Sequence, residues 1–222
     1  MIKRFIHSRR GLPSWVSSQS QKQDTGAGSY RDLIYNKKYM ALLASTFFIN
    51  GPSFAHNTYF SFLYIDQGGT IAGMGIALLL MAVSEAPFMA WSECISARFT
   101  LERMILIAMC ACALRFLWYS TGPTTPWLMG TFFLQGFING IFLVETMKYI
   151  KKLVNPKLIP LAVSLYTALS SNCGTITCQF AGGIVVGSSG GKGVYLFYGL
   201  FNLIGIAIYL AFGLHHTKKL KK

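Results

Sequence analysis

The chain has 222 residues, of which 53% are hydrophobic and only 12% charged. A soluble core of this length needs a larger polar surface, so the composition excludes an ordinary soluble domain. The formal net charge of +13 does not call for nucleic acid, because the cations fall in alternate gaps between apolar runs, where a membrane topology accounts for them.

Residues 1–38 carry Lys3, Arg4, Arg9, Arg10, Lys22, Arg31, Lys37 and Lys38, with turn formers at Gly11-Leu12-Pro13 and across 19–28. This reads as a polar, mobile cytoplasmic segment. Its basic start lacks the apolar stretch of a secretory signal. Six apolar runs follow, at 39–65, 70–91, 101–119, 127–147, 159–186 and 194–214. Each is long enough to cross a hydrocarbon core about 30 Å thick, which takes about 20 helical residues. The first gap, 66–69, holds no cation; the second holds Arg98 and Arg103. The third, 120–126, again holds none, and the fourth holds Lys148, Lys151, Lys152 and Lys157. Lys192 stands in the fifth, and the tail ends with Lys218, Lys219, Lys221 and Lys222. Loops rich in Lys and Arg stay cytoplasmic. The predicted protein is therefore an all-α membrane protein with six transmembrane helices, both termini cytoplasmic, in the cell membrane. Its parts are a segment 1–38, a bundle 39–214 and a basic tail 215–222.

The first span is interrupted at Asn50-Gly51-Pro52, and Pro87 stands inside the second. Proline removes a backbone donor and clashes with the preceding turn, so kinks are expected at both. Glycines at Gly69 and Gly73, Gly136 and Gly140, and Gly183 and Gly187 have the spacing that lets membrane helices approach closely. Thr46-Phe47-Phe48-Ile49-Asn50-Gly51 in the first span echoes Thr131-Phe132-Phe133-Leu134-Gln135-Gly136 in the fourth. These two spans run in opposite directions, which fits three helices followed by three inverted copies and makes Asn50 equivalent to Gln135.

Ionisable groups inside a span cost several kcal/mol unless they face protein or water. His56, Glu85, Arg115 and Glu145 stand inside spans. At about 1.5 Å per residue Glu85 falls near mid-membrane, His56 and Arg115 further out, and Glu145 near the cytoplasmic end, one turn from Lys148. Glu145 reads as an interfacial ion pair, and Glu85 as a functional carboxylate able to exchange protons or accept solute hydroxyls. Asn50, Ser53, Asn57 and Ser61 form a stripe on the first span. Gln135 and Asn139 share a face of the fourth, and Ser170, Ser171, Asn172, Thr175 and Gln179 enrich the fifth. Converging amides at similar depth predict a wet central cavity for a small polar solute. Tyr59, Trp118, Tyr119, Trp127, Tyr195 and Tyr198 lie near span ends, where aromatic belts form. The five cysteines stand in or beside spans and read as packed free thiols. No metal spacing, nucleophile with base, or cofactor motif emerges, so no enzyme, metal or cofactor is predicted.

Ser84-Glu85-Ala86-Pro87-Phe88, Leu114-Arg115-Phe116-Leu117, Leu134-Gln135-Gly136 and Gly140-Ile141-Phe142 together resemble the C-terminal half of a major facilitator superfamily transporter. The branch is the one containing lactose permease and the nucleoside and phenylpropionate proton symporters, and the resemblance covers about residues 30–215. It implies one six-helix bundle of a twelve-span protein, with residue 1 inside the loop that joins the halves. It further implies a solute site between two bundles, and Glu85 and Arg115 as recognition and coupling residues. Arg98, Phe99 and Arg103 resemble a degenerate copy of the superfamily's loop motif, with Thr100 in place of a glycine. Gln135 stands where the family often has a titratable histidine, and Ile138 near the place of a carboxylate, so proton coupling falls to Glu85 or His56. The expected function is a secondary active transporter half taking up a sugar or nucleoside with protons, by alternating access. Its partners are the lipid bilayer and an N-terminal six-helix half or a second copy. The alternative is a non-transporting or truncated membrane protein with a scaffold role. The expected solute-binding set is Asn50, Asn57, Glu85, Arg115, Gln135, Asn139 and Asn172, with Glu85 and His56 for proton coupling.

Overall fold

A computed structural model of the chain describes residues 30–96 and 100–215. The predicted mobile segment up to residue 29, Arg98 and Phe99, and the tail beyond 215 lie outside the described residues. Among those described there is helix and no strand. A short helix α1 (Tyr30–Tyr35) leads into α2 (Lys37–Asp66), α3 (Ile71–Ser96), α4 (Leu101–Ser120) and α5 (Thr125–Leu153). A 3₁₀ turn (Pro156–Leu158) opens α6 (Ile159–Tyr166), which passes through a π-helical turn (Thr167–Cys173) into α7 (Gly174–Ala211).

The last helix is two crossings. Gly190 has φ 67° and ψ −170°, a left-handed conformation that glycine adopts without steric cost. The chain folds back there, and the Tyr198 hydroxyl of the second arm donates to the Cys178 carbonyl of the first at 3.0 Å. The expected loop between the fifth and sixth spans is thus contracted to a break at one glycine. The crossings are α2, α3, α4, α5, α6 with the first arm of α7, and its second arm.

Three stretches, Ile71–Trp91, Thr125–Leu153 and the folded Pro156–Ala211, are apolar and long enough to cross a membrane on composition alone. Helices α2 and α4 are diluted by polar residues that the bundle buries, among them Asn50, His56 and Arg115. That burial reconciles their length with their polarity, since a polar group in a span must face protein or a cavity. Helix α2 runs through Pro52 and α3 through Pro87, so neither proline ends its helix. Asn36 caps α2 by accepting from the Tyr39 amide, and its own amide donates to the Leu153 carbonyl at 2.9 Å. One residue thereby ties the start of the first crossing to the end of the fourth.

Close contacts follow an exchange of the first three crossings with the last three. A Cβ on Gly51 of α2 would stand 2.8 Å from the Gly174 carbonyl oxygen of the fifth crossing. A Cβ on Gly136 of α5 would stand 2.7 Å from the Met81 carbonyl oxygen of α3, the second. The first crossing meets the sixth at Phe48 and Phe201, with ring centroids 4.5 Å apart. Its mate is the fourth crossing on the third, joined by Lys152 and Glu102 at 2.6 Å. The third and sixth, exchanged with each other, meet where the Tyr209 hydroxyl donates to the Glu102 carbonyl at 3.0 Å. This is one bundle built as a 3+3 inverted repeat. Gly51 and Gly136 are the glycines that close the two echoed Thr-Phe-Phe segments, so the echo marks equivalent helix crossings. Gly140 also packs against α3, with Glu85 and Met89 as neighbours, whereas Gly187 has nothing within 4 Å of its Cβ position. The Gly183–Gly187 pair is therefore not a close crossing.

Candidate solute cavity

The polar stripe of α2, the middle of α3, the middle of α5 and the π turn meet around a cavity of about 130 Å³. Asn50, Ser53, Glu85, Asn139, Tyr166 and Ser171 supply its polar lining, with Phe54 and Phe142 among the apolar walls. A wider, open cavity of about 690 Å³ adjoins it and is lined in part by Asn172, Thr175 and Met147.

Local structure explains why these side chains face inward. On α2, Asn50 and Ser53 are three residues apart and share a face. Asn50 Nδ2 donates to the Tyr166 hydroxyl at 2.9 Å and lies 3.5 Å from Ser171 Oγ. On α5, Gln135 and Asn139 are four apart, and Gln135 Nε2 donates to Asn139 Oδ1 at 3.2 Å. Gln135 is buried behind Asn139 and its Oε1 has no hydrogen-bond donor among the described residues. Asn139 is thus the member of the pair that reaches the cavity. Glu85 is half-buried on α3, and no ion pair or hydrogen bond to its carboxylate occurs among the described residues. The other intramembrane carboxylates do have cations. Glu145 meets Lys148 at 3.0 Å, as their spacing predicts, and Glu102 meets Lys152. Glu85 is left as the carboxylate that opens onto the cavity.

The remaining predicted residues fall elsewhere. Asn172, exposed, borders only the wider cavity. Asn57 is half-buried further along α2, with Oδ1 enclosed and without a donor among the described residues. His56 and Arg115 border neither cavity. They share a separate aromatic cage toward the opposite end of the α2 stripe. His56 is fully buried, its Nδ1 2.7 Å from the Tyr195 hydroxyl and its ring against Phe60, Phe116, Tyr119 and Phe132. Arg115, 3% exposed, lies with Cζ 4.8 Å from the Phe116 centroid and 5.5 Å from that of Tyr119. None of its three side-chain nitrogens has an acceptor among the described residues. Tyr119, Tyr195 and Tyr198, expected in a surface belt, are instead fully buried around this cage. The belt expectation fits Trp127, which is 66% exposed. The tyrosines turn inward because inner partners exist for their hydroxyls: Thr131 for Tyr119, His56 for Tyr195 and Cys178 for Tyr198.

A guanidinium in this setting keeps cation–π attraction but no protein acceptor, and a buried charge without one is costly. Arg115→Met keeps the length and removes the charge. It is expected to raise the thermal midpoint of the purified chain, by about 1–4 kcal/mol of stability if burial without a partner dominates. A clear fall in the midpoint would show instead that the guanidinium is held by an interaction worth more than its desolvation.

Sequence reasoning did not single out Tyr166, which lines both cavities. The available signal was a tyrosine one turn before Ser170-Ser171-Asn172 in an otherwise apolar run.

Helices in an inverted repeat thus border a cavity lined by Asn50, Glu85 and Asn139. The chain belongs to the MFS_1 like family, whose model matches residues 7–197. It is 32% identical over 180 residues to the maltose permease of Geobacillus stearothermophilus, covering 81% of this chain and 46% of that protein. It is 29% identical over 181 residues to the uncharacterized transporter YwbF of Bacillus subtilis (strain 168), covering 82% of this chain and 45% of that protein. The chain spans about half the length of these relatives. No solved structure gives a significant match.

Proposed function

We propose that the chain is the C-terminal bundle of a secondary active transporter that takes up a small polar solute with protons. The observation that carries this reading is the cavity where a carboxylate without a cation, Glu85, stands among Asn50, Asn139 and Tyr166. Neutral amides and hydroxyls beside one carboxylate are the donor and acceptor set that recognises a polyhydroxylated solute. A sugar is the favoured class, and the name of the maltose permease relative supports it; a nucleoside presents similar hydroxyls. In this reading Glu85 accepts solute hydroxyls and exchanges the coupling proton, and Asn50, Asn139 and Asn172 bind along the cavity. Gln135 orients Asn139. His56, Asn57 and Arg115 act from the neighbouring cage and stripe. Access alternates by rocking against an N-terminal six-helix half or a second copy. The cation pattern supports a cell-membrane protein with both termini cytoplasmic. A scaffold would need the same spans but no carboxylate opening onto a cavity.

The test is uptake of labelled maltose and of a labelled nucleoside by cells expressing the chain with a matching N-terminal half. Saturable uptake that needs both halves is expected, and none from the chain alone as a demonstrated monomer in liposomes. Saturable uptake by that monomer would overturn the half-transporter reading. Reaction of an impermeant external label near Lys152 in intact cells would overturn the orientation.

A further inference from the structure

The small and the wide cavity share one wall. Phe54, Leu143, Tyr166 and Ser171 line both. Tyr166 is the large polar member of that wall, 3% exposed, with its hydroxyl held by Asn50 Nδ2 at 2.9 Å. It is the last residue of α6, immediately before the π turn. A π turn widens the helix and changes which side chains face a site, and such turns concentrate where function needs an irregular backbone. This one is fastened to α2 on its far side, where Ser170 Oγ donates to the Leu43 carbonyl at 2.9 Å and meets Thr46 Oγ1 at 2.9 Å. The anchored turn leaves Ser171 and Asn172 to the cavities and holds the Tyr166 ring at the seam between them.

Size gives the seam a consequence. The inner cavity, about 130 Å³, is below the range of roughly 300–1,000 Å³ usual for a whole small-molecule site. The outer one, about 690 Å³, lies within it. A solute whose polar end reaches Glu85 outgrows the inner cavity, and the adjoining outer cavity, across the wall that carries Tyr166, has room for its remainder. We propose that Tyr166 partitions the solute site into an inner subsite that holds the Glu85 carboxylate and an outer one lined by neutral side chains, and so sets the length of solute accepted. Resting on the transporter reading above, this makes Tyr166 a positioning and specificity residue on a face of the fifth crossing.

The test separates the partition from the transport reading. With the native cysteines replaced by alanine, Asn139→Cys places a thiol in the inner cavity of the full chain in nanodiscs. Its alkylation is followed with N-ethylmaleimide and with bulky fluorescein maleimide, each normalised to the exposed Ser188→Cys. Tyr166→Ala should raise the bulky-to-small rate ratio about tenfold, whereas Tyr166→Phe, which keeps the ring, should change it less than about twofold. Phe54→Ala truncates a half-exposed ring on the same wall and should raise the ratio in the same direction without a core cavity. An unchanged ratio in both Tyr166→Ala and Phe54→Ala would overturn the partition. No solute enters that measurement, so its failure leaves the transport reading standing. In the assembled transporter, Tyr166→Ala should shift competition about tenfold toward the α-linked trimer of glucose relative to glucose itself. An unchanged length preference would overturn the specificity role, and absence of both sugar and nucleoside uptake before mutation would sink the transport reading alone.

Discussion

Glu85→Gln is expected to abolish uphill accumulation of solute by the assembled transporter while leaving the bundle folded. The substitution keeps shape and removes the charge and the exchangeable proton. Among the described intramembrane carboxylates Glu85 opens onto the cavity without a cation, whereas Glu102 and Glu145 are held by Lys152 and Lys148. Without the exchangeable proton, solute movement is no longer linked to the proton gradient, so internal solute should rise only to the external level. Solute exchange without a gradient distinguishes the two roles of the residue. Retained exchange assigns Glu85 to coupling; exchange that falls with accumulation assigns it to solute hydroxyls, where a bond to a charged group is worth about 1.5–3 kcal/mol. Normal affinity with normal accumulation would reduce Glu85 to a structural residue and remove the main support for the proposed function.

Two glycine substitutions in one helix are expected to act with opposite signs. Gly130 of α5 is exposed, and its Cβ position has no neighbour within 4 Å. Gly130→Ala should therefore stabilise by up to about 1 kcal/mol through helix propensity. Gly136 lies six residues on, against α3. A Cβ there meets the Ser84 hydroxyl and stands 2.7 Å from the Met81 carbonyl oxygen and 2.9 Å from the Glu85 amide nitrogen. Two of these three atoms are backbone and cannot swing aside, so the helices must separate. Gly136→Ala should lose about 1–3 kcal/mol to overpacking, which outweighs its gain in propensity. Thermal midpoints of the purified variants in one detergent check both. Equal midpoints would mean that α3 and α5 do not cross at Gly136, and the inverted-repeat packing would then need another crossing point.

The same crossing carries a functional consequence. Gly136 sits beside the Glu85 backbone, and Asn139 lies one turn further along the same helix, so this contact sets the separation of two cavity side chains. A change that pushes α5 from α3 should disturb solute binding as well as stability. The echo of Gly136 by Gly51 makes the α2 contact with Gly174 its counterpart, next to Asn50 and the π turn. The glycines at these two crossings thus stand next to the residues that define the cavity.

The number and order of the crossings were legible in the sequence because hydrocarbon thickness and loop charge act on local composition. So was the inverted repeat, through the Thr-Phe-Phe echo, and so was the Glu145–Lys148 pair, through its helical spacing. The nearness of Asn50, Glu85 and Asn139 was partly legible, since each could be placed near mid-depth by counting residues. Depth does not give rotation about the helix axis. Rotation is set by which neighbour packs where, and only the tertiary structure decided that Asn139 faces the cavity with Gln135 behind it. The same reason sends His56 and Arg115, at suitable depth, into an aromatic cage, and turns Tyr119, Tyr195 and Tyr198 inward while Trp127 stays outside. The reversal between the fifth and sixth crossings was legible as a gap at 187–193, but its contraction to Gly190 and the π turn after Tyr166 were hidden. Each depends on a backbone conformation that only the surrounding helices stabilise, and a chain read one residue at a time carries no record of those neighbours.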